Sequence, residues 1–128
     1  MEKRHLSPAS VSPPFGRYHQ AVAVEGAKRL LFLSGQLGIR PDGTVPEAVE
    51  AQAALAFAAI DALLKDAGLG RDAVLRLSVF LTEATYREDY MAVRDRWVAD
   101  PPPASTLLIV KALAVPACKI EIEAIAAG

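Results

Sequence analysis

The sequence predicts an α+β domain, with helices on one face of a mainly antiparallel, mixed sheet. Three observations predict it. Segments of period two and of period 3.6 follow one another in the order β-β-α-β-α-β-β. The 128 residues make one domain, 1–128, without internal repeats or low-complexity tracts. Apolar residues are 52% of the chain and aromatic residues only 6%, so small aliphatics and alanine must pack a single core.

Residues 1–15 hold three prolines and three serines in "MEKRHLSPASVSPPF" and are expected to form an irregular N-terminal arm. "AVAVEGAKRLLFLSG" is expected to form a hairpin about the Glu25-Gly26 turn signal. "RPDG" at 40–43 is a turn, in which Pro41 presets φ, Asp42 bonds locally and Gly43 closes. Thr44 and Glu47 match a capping box, and Pro46 fits the first turn of the helix that follows. That helix runs to about Ala67, with Val49, Ala53, Phe57, Ile60, Leu64 and Ala67 as its buried stripe. Gly68 fits the left-handed position just past its end, with Leu69 as the apolar partner.

"AVLRLSVFLT", 73–82, alternates as a strand. Leu75, Leu77, Val79 and Leu81 line one face, and Val74, Arg76, Ser78 and Phe80 the other. Thr85 and Glu88 match a second capping box. They open a helix with the stripe Tyr86, Tyr90, Val93, Trp97, which Pro101–Pro103 end. The last strands are "ASTLLIVKAL" and "KIEIEAIA". Helices on one face leave the other to be covered, and a second copy of the chain is the expected cover.

A net charge of -1 argues against nucleic-acid binding by bulk positive charge. Arg87, Arg94 and Arg96 are the only basic stripe, and few aromatics are free for base stacking. No apolar run is long enough for a membrane span, and "MEKRHLSPAS" is not followed by the apolar core of a secretory signal. The lone Cys118 fits a cytoplasmic setting, as a small buried hydrophobe. His5 and His19 have no partner at metal-ligand spacing. No phosphate loop or nucleophile elbow is present. Glu121 and Glu123 project from one face of the last strand, a pair able to act as acid or base or to position a water.

Taken together, "GRYHQAVAV", "LFLSGQLG", the helix after "GTVPE", "VLRLSVFLT" and "PPASTLLIVKAL…KIEIEAIA" resemble the Rid family (YjgF/YER057c/UK114) over roughly residues 13–126. The resemblance implies a chorismate-mutase-like fold and a homotrimer whose sheets form a central barrel. Three small-molecule clefts would then open between subunits. It also implies hydrolysis of reactive imines and enamines, such as 2-aminoacrylate, to a keto acid and ammonia without metal or cofactor. By position, Tyr18 matches the family's pocket tyrosine, and Ser34 and Gly35 the serine-glycine pair that lines the cleft. Glu121 matches the glutamate that orients the attacking water.

Three positions depart from that pattern. Leu107 falls where the family often has a small polar residue or cysteine, and Met91 where it usually has asparagine. Ser105 falls where the deaminating branch has an arginine that grips the substrate carboxylate. Losing one charged hydrogen bond costs about 1.5–3 kcal/mol. Binding of an amino-acid-derived imine should then weaken by roughly one to two orders of magnitude. Arg17 points away from Tyr18 on an extended chain, and Lys111 lies roughly 20 Å along the strand from Ser105, so neither is expected to replace the charge. The expectation is a small-metabolite cleft without its anionic clamp. Its alternatives are a non-catalytic binder or sensor and, on weaker grounds, an RNA-directed endoribonuclease or translation inhibitor.

Overall fold

The computed structural model describes residues 1–128. Its elements are β1 (Glu2–Leu6), β2 (Ala21–Glu25), β3 (Leu30–Leu37), α1 (Val49–Asp66), β4 (Val74–Leu81), α2 (Arg87–Trp97), β5 (Ala104–Ile109) and β6 (Ile120–Ala127). Strands β3-β6-β4-β5 form one sheet, and β1-β2 form a separate antiparallel pair. β6 runs antiparallel to both β3 and β4, whereas β4 and β5 run parallel because α2 carries the chain back between them.

Alternation decides which sheet face the helices cover. Leu77, Val79 and Leu81 of β4 lie opposite Ala124, Ile122 and Ile120 of β6, and all six are buried. α1 lays Ala53, Ala56, Phe57, Ile60 and Leu64 on that face, and α2 adds Tyr90, Val93 and Trp97. Phe57 stacks on Trp97 at 4.5 Å and on Tyr90 at 6.1 Å between ring centroids, which joins the helices. Each large apolar side chain buried here stabilises by about 1.5–3 kcal/mol. At the rim, Asp61 of α1 accepts from Arg71 Nε and Nη2 at 2.8 Å each and from Trp97 Nε1 at 3.1 Å.

α1 stops where expected. Gly68 has φ +73°, its amide donates to Lys65 O, and the Leu69 amide donates to Leu64 O. Together these form a Schellman motif. Neither capping box forms. Thr44 gives both its amide and its hydroxyl to Asp42 Oδ1, at 2.9 and 2.7 Å, so the turn consumes the group meant for the helix. Thr85 likewise bonds Glu83 at 3.3 Å, and a single 3₁₀ turn, Ala84–Tyr86, leads into α2.

The hairpin is also corrected. Gly26 turns the chain at φ +70°, but β2 pairs with β1 and β3 pairs with β6. The C-terminal strand takes β3's hydrogen bonds, and Gly128 exchanges bonds with Arg29 at 2.8 and 3.1 Å. Residues 2–6 of the expected irregular arm are therefore a strand, in register Glu2↔Glu25 to Leu6↔Ala21. "EKRHL" has no apolar alternation to announce it; the unpaired edge of β2 selects it by backbone bonding. Val74 is buried rather than on the mixed face, because a register shift between Val74 and Arg76 flips the alternation.

The second sheet face carries Phe32, Arg76, Phe80, Thr106, Leu108, Glu121 and Glu123 without a helix over it. Phe32 is 70% exposed and Leu108 50%, values an apolar side chain keeps only where nothing covers it. No helix is long and apolar enough to cross a membrane.

Candidate functional site

The first half of the site starts from His19. Its amide donates to Pro103 O at 3.0 Å and it bridges Ala104 in parallel. Its Nδ1 donates to Pro102 O at 2.8 Å, since a carbonyl only accepts. These bonds dock the segment before β2 onto the start of β5 and set Tyr18 beside Ser105. The Tyr18 hydroxyl accepts the Phe15 amide at 3.2 Å, which curls the chain over the opening.

The result is a cavity of about 540 Å³ lined by Tyr18, Ser105 and Leu107 on one side and by Arg87, Met91 and Arg94 of α2 on the other. Arg94 is 3% exposed. Its Nε and Nη2 share one acceptor, Asp95 Oδ1, at 3.3 and 3.1 Å, and Nη1 donates to no group of the chain. Gly16 closes over it. A Cβ there would stand 3.2 Å from Arg94 Nη2 and 3.0 Å from Met91 Cε, so the backbone lies against the guanidinium. Two cations and no carboxylate line the cavity, which makes it a site for negative charge.

The second half lies on the other sheet face. β3 bulges between Leu33 and Gln36, and Gly35 sits in that irregularity. The Glu121 side chain of β6 rests directly on Gly35; a Cβ there would fall 2.6 Å from its Cδ and 2.8 Å from its Cγ. Glu121 and Gly35 border a cavity of about 360 Å³ together with Phe80, Val110, Leu113 and Glu123. A carboxylate held on a bare backbone at the edge of a water-accessible space can orient a water or accept its proton.

Tyr18, Met91, Ser105 and Leu107 thus come together, Gly35 and Glu121 form a separate group, and Ser34 lies in neither, in a shallow groove with Phe32 and Leu63 at the β3 edge. The expected lack of cations beside Ser105 is corrected. Arg87 and Arg94 line that cavity, while Arg17 and Lys111, both exposed, do not. The signal for Arg94 was its spacing. Tyr90, Arg94 and Trp97 stand at i, i+4 and i+7, so a cation occupies the inward stripe of α2.

Burial, and then the Glu121 charge, push the Cys118 thiol upward, which disfavours the thiolate a nucleophile needs. No three His, Cys, Asp or Glu side chains gather as metal ligands.

The family profile described as Endoribonuclease L-PSP matches residues 9–128. A "RutC family protein" of Aquifex aeolicus is 32% identical over 126 residues, covering 96% of this chain and 98% of the relative. A goat (Capra hircus) protein named 2-iminobutanoate/2-iminopropanoate deaminase is 34% identical over 129 residues, covering 97% and 89%. The crystal structure of a Rid-family protein from Yersinia pestis superposes with a TM-score of 0.87 at 27% identity, over the whole of both chains.

Proposed function

Since the chain belongs to the Rid family, described as Endoribonuclease L-PSP, we propose that it hydrolyses a small imine or enamine in clefts between the subunits of a homotrimer. The observation that carries the reading is the seating of Glu121 on Gly35 at the wall of an open cavity. It is supported by the uncovered sheet face, which a second copy would cover, and by the deaminase name of a 34% identical relative.

The chemistry asks little of the protein, because an imine carbon is already electrophilic. Glu121 accepts a proton from water as its oxygen bonds to that carbon. The C=N π pair moves to nitrogen, which takes that proton from Glu121 and becomes an amine. The carbinolamine's hydroxyl proton then passes through Glu121 to the amine nitrogen, the carbonyl closes as the C–N bond breaks, and ammonia and a carbonyl compound leave. Tyr18 and the cavity beside Ser105 hold the rest of the substrate, and Gly35 allows the water to approach. Sites at subunit boundaries suit this, since each copy contributes one wall.

The test is ammonia release from imines generated in place by an amino-acid oxidase. Glu121→Gln should lower turnover by roughly 10²-fold or more while the melting temperature holds. A ligand that raises the melting temperature without being consumed would favour a non-catalytic binder instead. RNA cleavage in the absence of any imine hydrolysis would overturn the reading.

A further inference from the structure

We infer that Arg94 and Arg87 of α2 form an anion clamp that makes the cavity beside Ser105 selective for a carboxylate. The inference rests on the proposed function only for the class of acid, a small keto or imino acid.

Arg87, Met91 and Arg94 stand at i, i+4 and i+7, one stripe of α2, about 10 Å from end to end by helical rise. That stripe forms the wall facing Ser105 and Tyr18. Arg94 is the deep member, and Arg87, exposed on the first turn, is the outer one.

A buried guanidinium is costly unless paired and hydrogen-bonded. Asp95 satisfies only one edge of Arg94, through a single oxygen, and its own side chain is nearly half exposed. The Nη1 donors remain unspent, and the residue lines a cavity. A carboxylate arriving there would meet guanidinium donors, with the Ser105 hydroxyl and the Tyr18 ring on the opposite wall. The position of Ser105 therefore needs no cation of its own: a side chain on the neighbouring helix supplies the charge. Arginine at 105 would add a further positive charge to a cavity that already holds two.

The experiment titrates the full chain by calorimetry with pyruvate, with its neutral analogue pyruvamide and with inorganic phosphate. Pyruvate should bind at least tenfold tighter than pyruvamide, and tighter than phosphate. Arg94→Lys keeps the charge but removes the fork, and should cost pyruvate at least tenfold. Arg87→Gln, on the surface, should cost a few-fold and flatten the salt dependence. Neither change should move pyruvamide binding, and melting curves verify that both variants fold. Equal affinity for pyruvate and pyruvamide, indifference of pyruvate to both substitutions, or tighter binding of phosphate would overturn the clamp. Ammonia release that ignores Arg87 and Arg94 would remove the clamp and leave the proposed function standing. Charge-dependent pyruvate binding without ammonia release from any imine would do the reverse.

Discussion

Ser105 and Glu121 lie on opposite faces of one four-stranded sheet. Ser105 pairs with Leu77, whose side chain is in the core, and Glu121 pairs with Phe80, whose side chain is on the uncovered face. A sheet is one backbone thick, so these two groups cannot reach a common substrate within one chain. If they cooperate, one copy must supply the charged cavity and another the carboxylate.

That relationship predicts complementation. Tyr18→Ala and Glu121→Gln, each inactive as a pure protein, should regain activity when unfolded together and reassembled. Random mixing leaves roughly one cleft in four with both halves intact. Activity of the mixture no greater than that of the separate variants would mean that the two groups do not share a cleft between copies.

Two glycines should respond differently to the same methyl. At Gly35 the new Cβ meets the Glu121 side chain, which can swing aside. Gly35→Ala should therefore cost under about 1 kcal/mol of stability but displace the carboxylate and lower turnover by tenfold or more. At Gly38 the Cβ meets Gln52, including its backbone O and its Cβ at 2.6 Å each, where α1 presses on the end of the β3 segment. Gln52 cannot retreat. Its Nε2 donates to Pro46 O and Ala117 O, and its Oε1 accepts the Lys119 amide at 2.8 Å. Gly38→Ala should cost about 2–3 kcal/mol or more in urea unfolding.

Tyr90→Phe should stabilise the protein. The ring is fully buried against Phe57, and its hydroxyl has no hydrogen-bond partner. Burial drives its pKa far upward, so the group is a neutral phenol at any working pH. Removing an unsatisfied buried hydroxyl should gain about 1 kcal/mol. A loss of that size in denaturant melts would mean that the hydroxyl is bonded in solution.

The β1–β2 pair should loosen in mild acid. His5 lies 5.0 Å from His19, and its pKa is lowered first by burial, then by the His19 charge and then by Lys3. The folded chain thus takes up this proton less readily than the unfolded chain. Above the ordinary value of 6.5 both states are neutral at His5 and nothing is lost. As pH falls below it, the unfolded chain gains the proton first, and stability declines until the folded form is protonated too. The protection factors of the Val22 and Val24 amides, taken relative to the intrinsic exchange rate at each pH, should fall between about pH 7 and 5, and His5→Gln should remove most of that fall.

How far the sequence reached can be read from single residues. Ala53, Phe57, Ile60 and Leu64 fell on the core face because 3.6-residue spacing fixes direction within one helix. Leu77, Val79 and Leu81 followed from two-residue spacing, and Gly68 from the left-handed backbone that a helix end needs. Gln52 and Arg94 sat in those same stripes, but a polar residue in an apolar stripe reveals its purpose only when its neighbours are known.

By itself, the sequence determined the order of the elements, the apolar face of each helix and the absence of a cation at position 105. Tertiary structure decided that β1 pairs with β2, that β6 intervenes between β3 and β4, and that Arg87 and Arg94 face Ser105. The physical reason is range. Periodicity and turn chemistry act within a few residues, whereas strand partners and the surroundings of a buried charge are set by segments far apart in the chain.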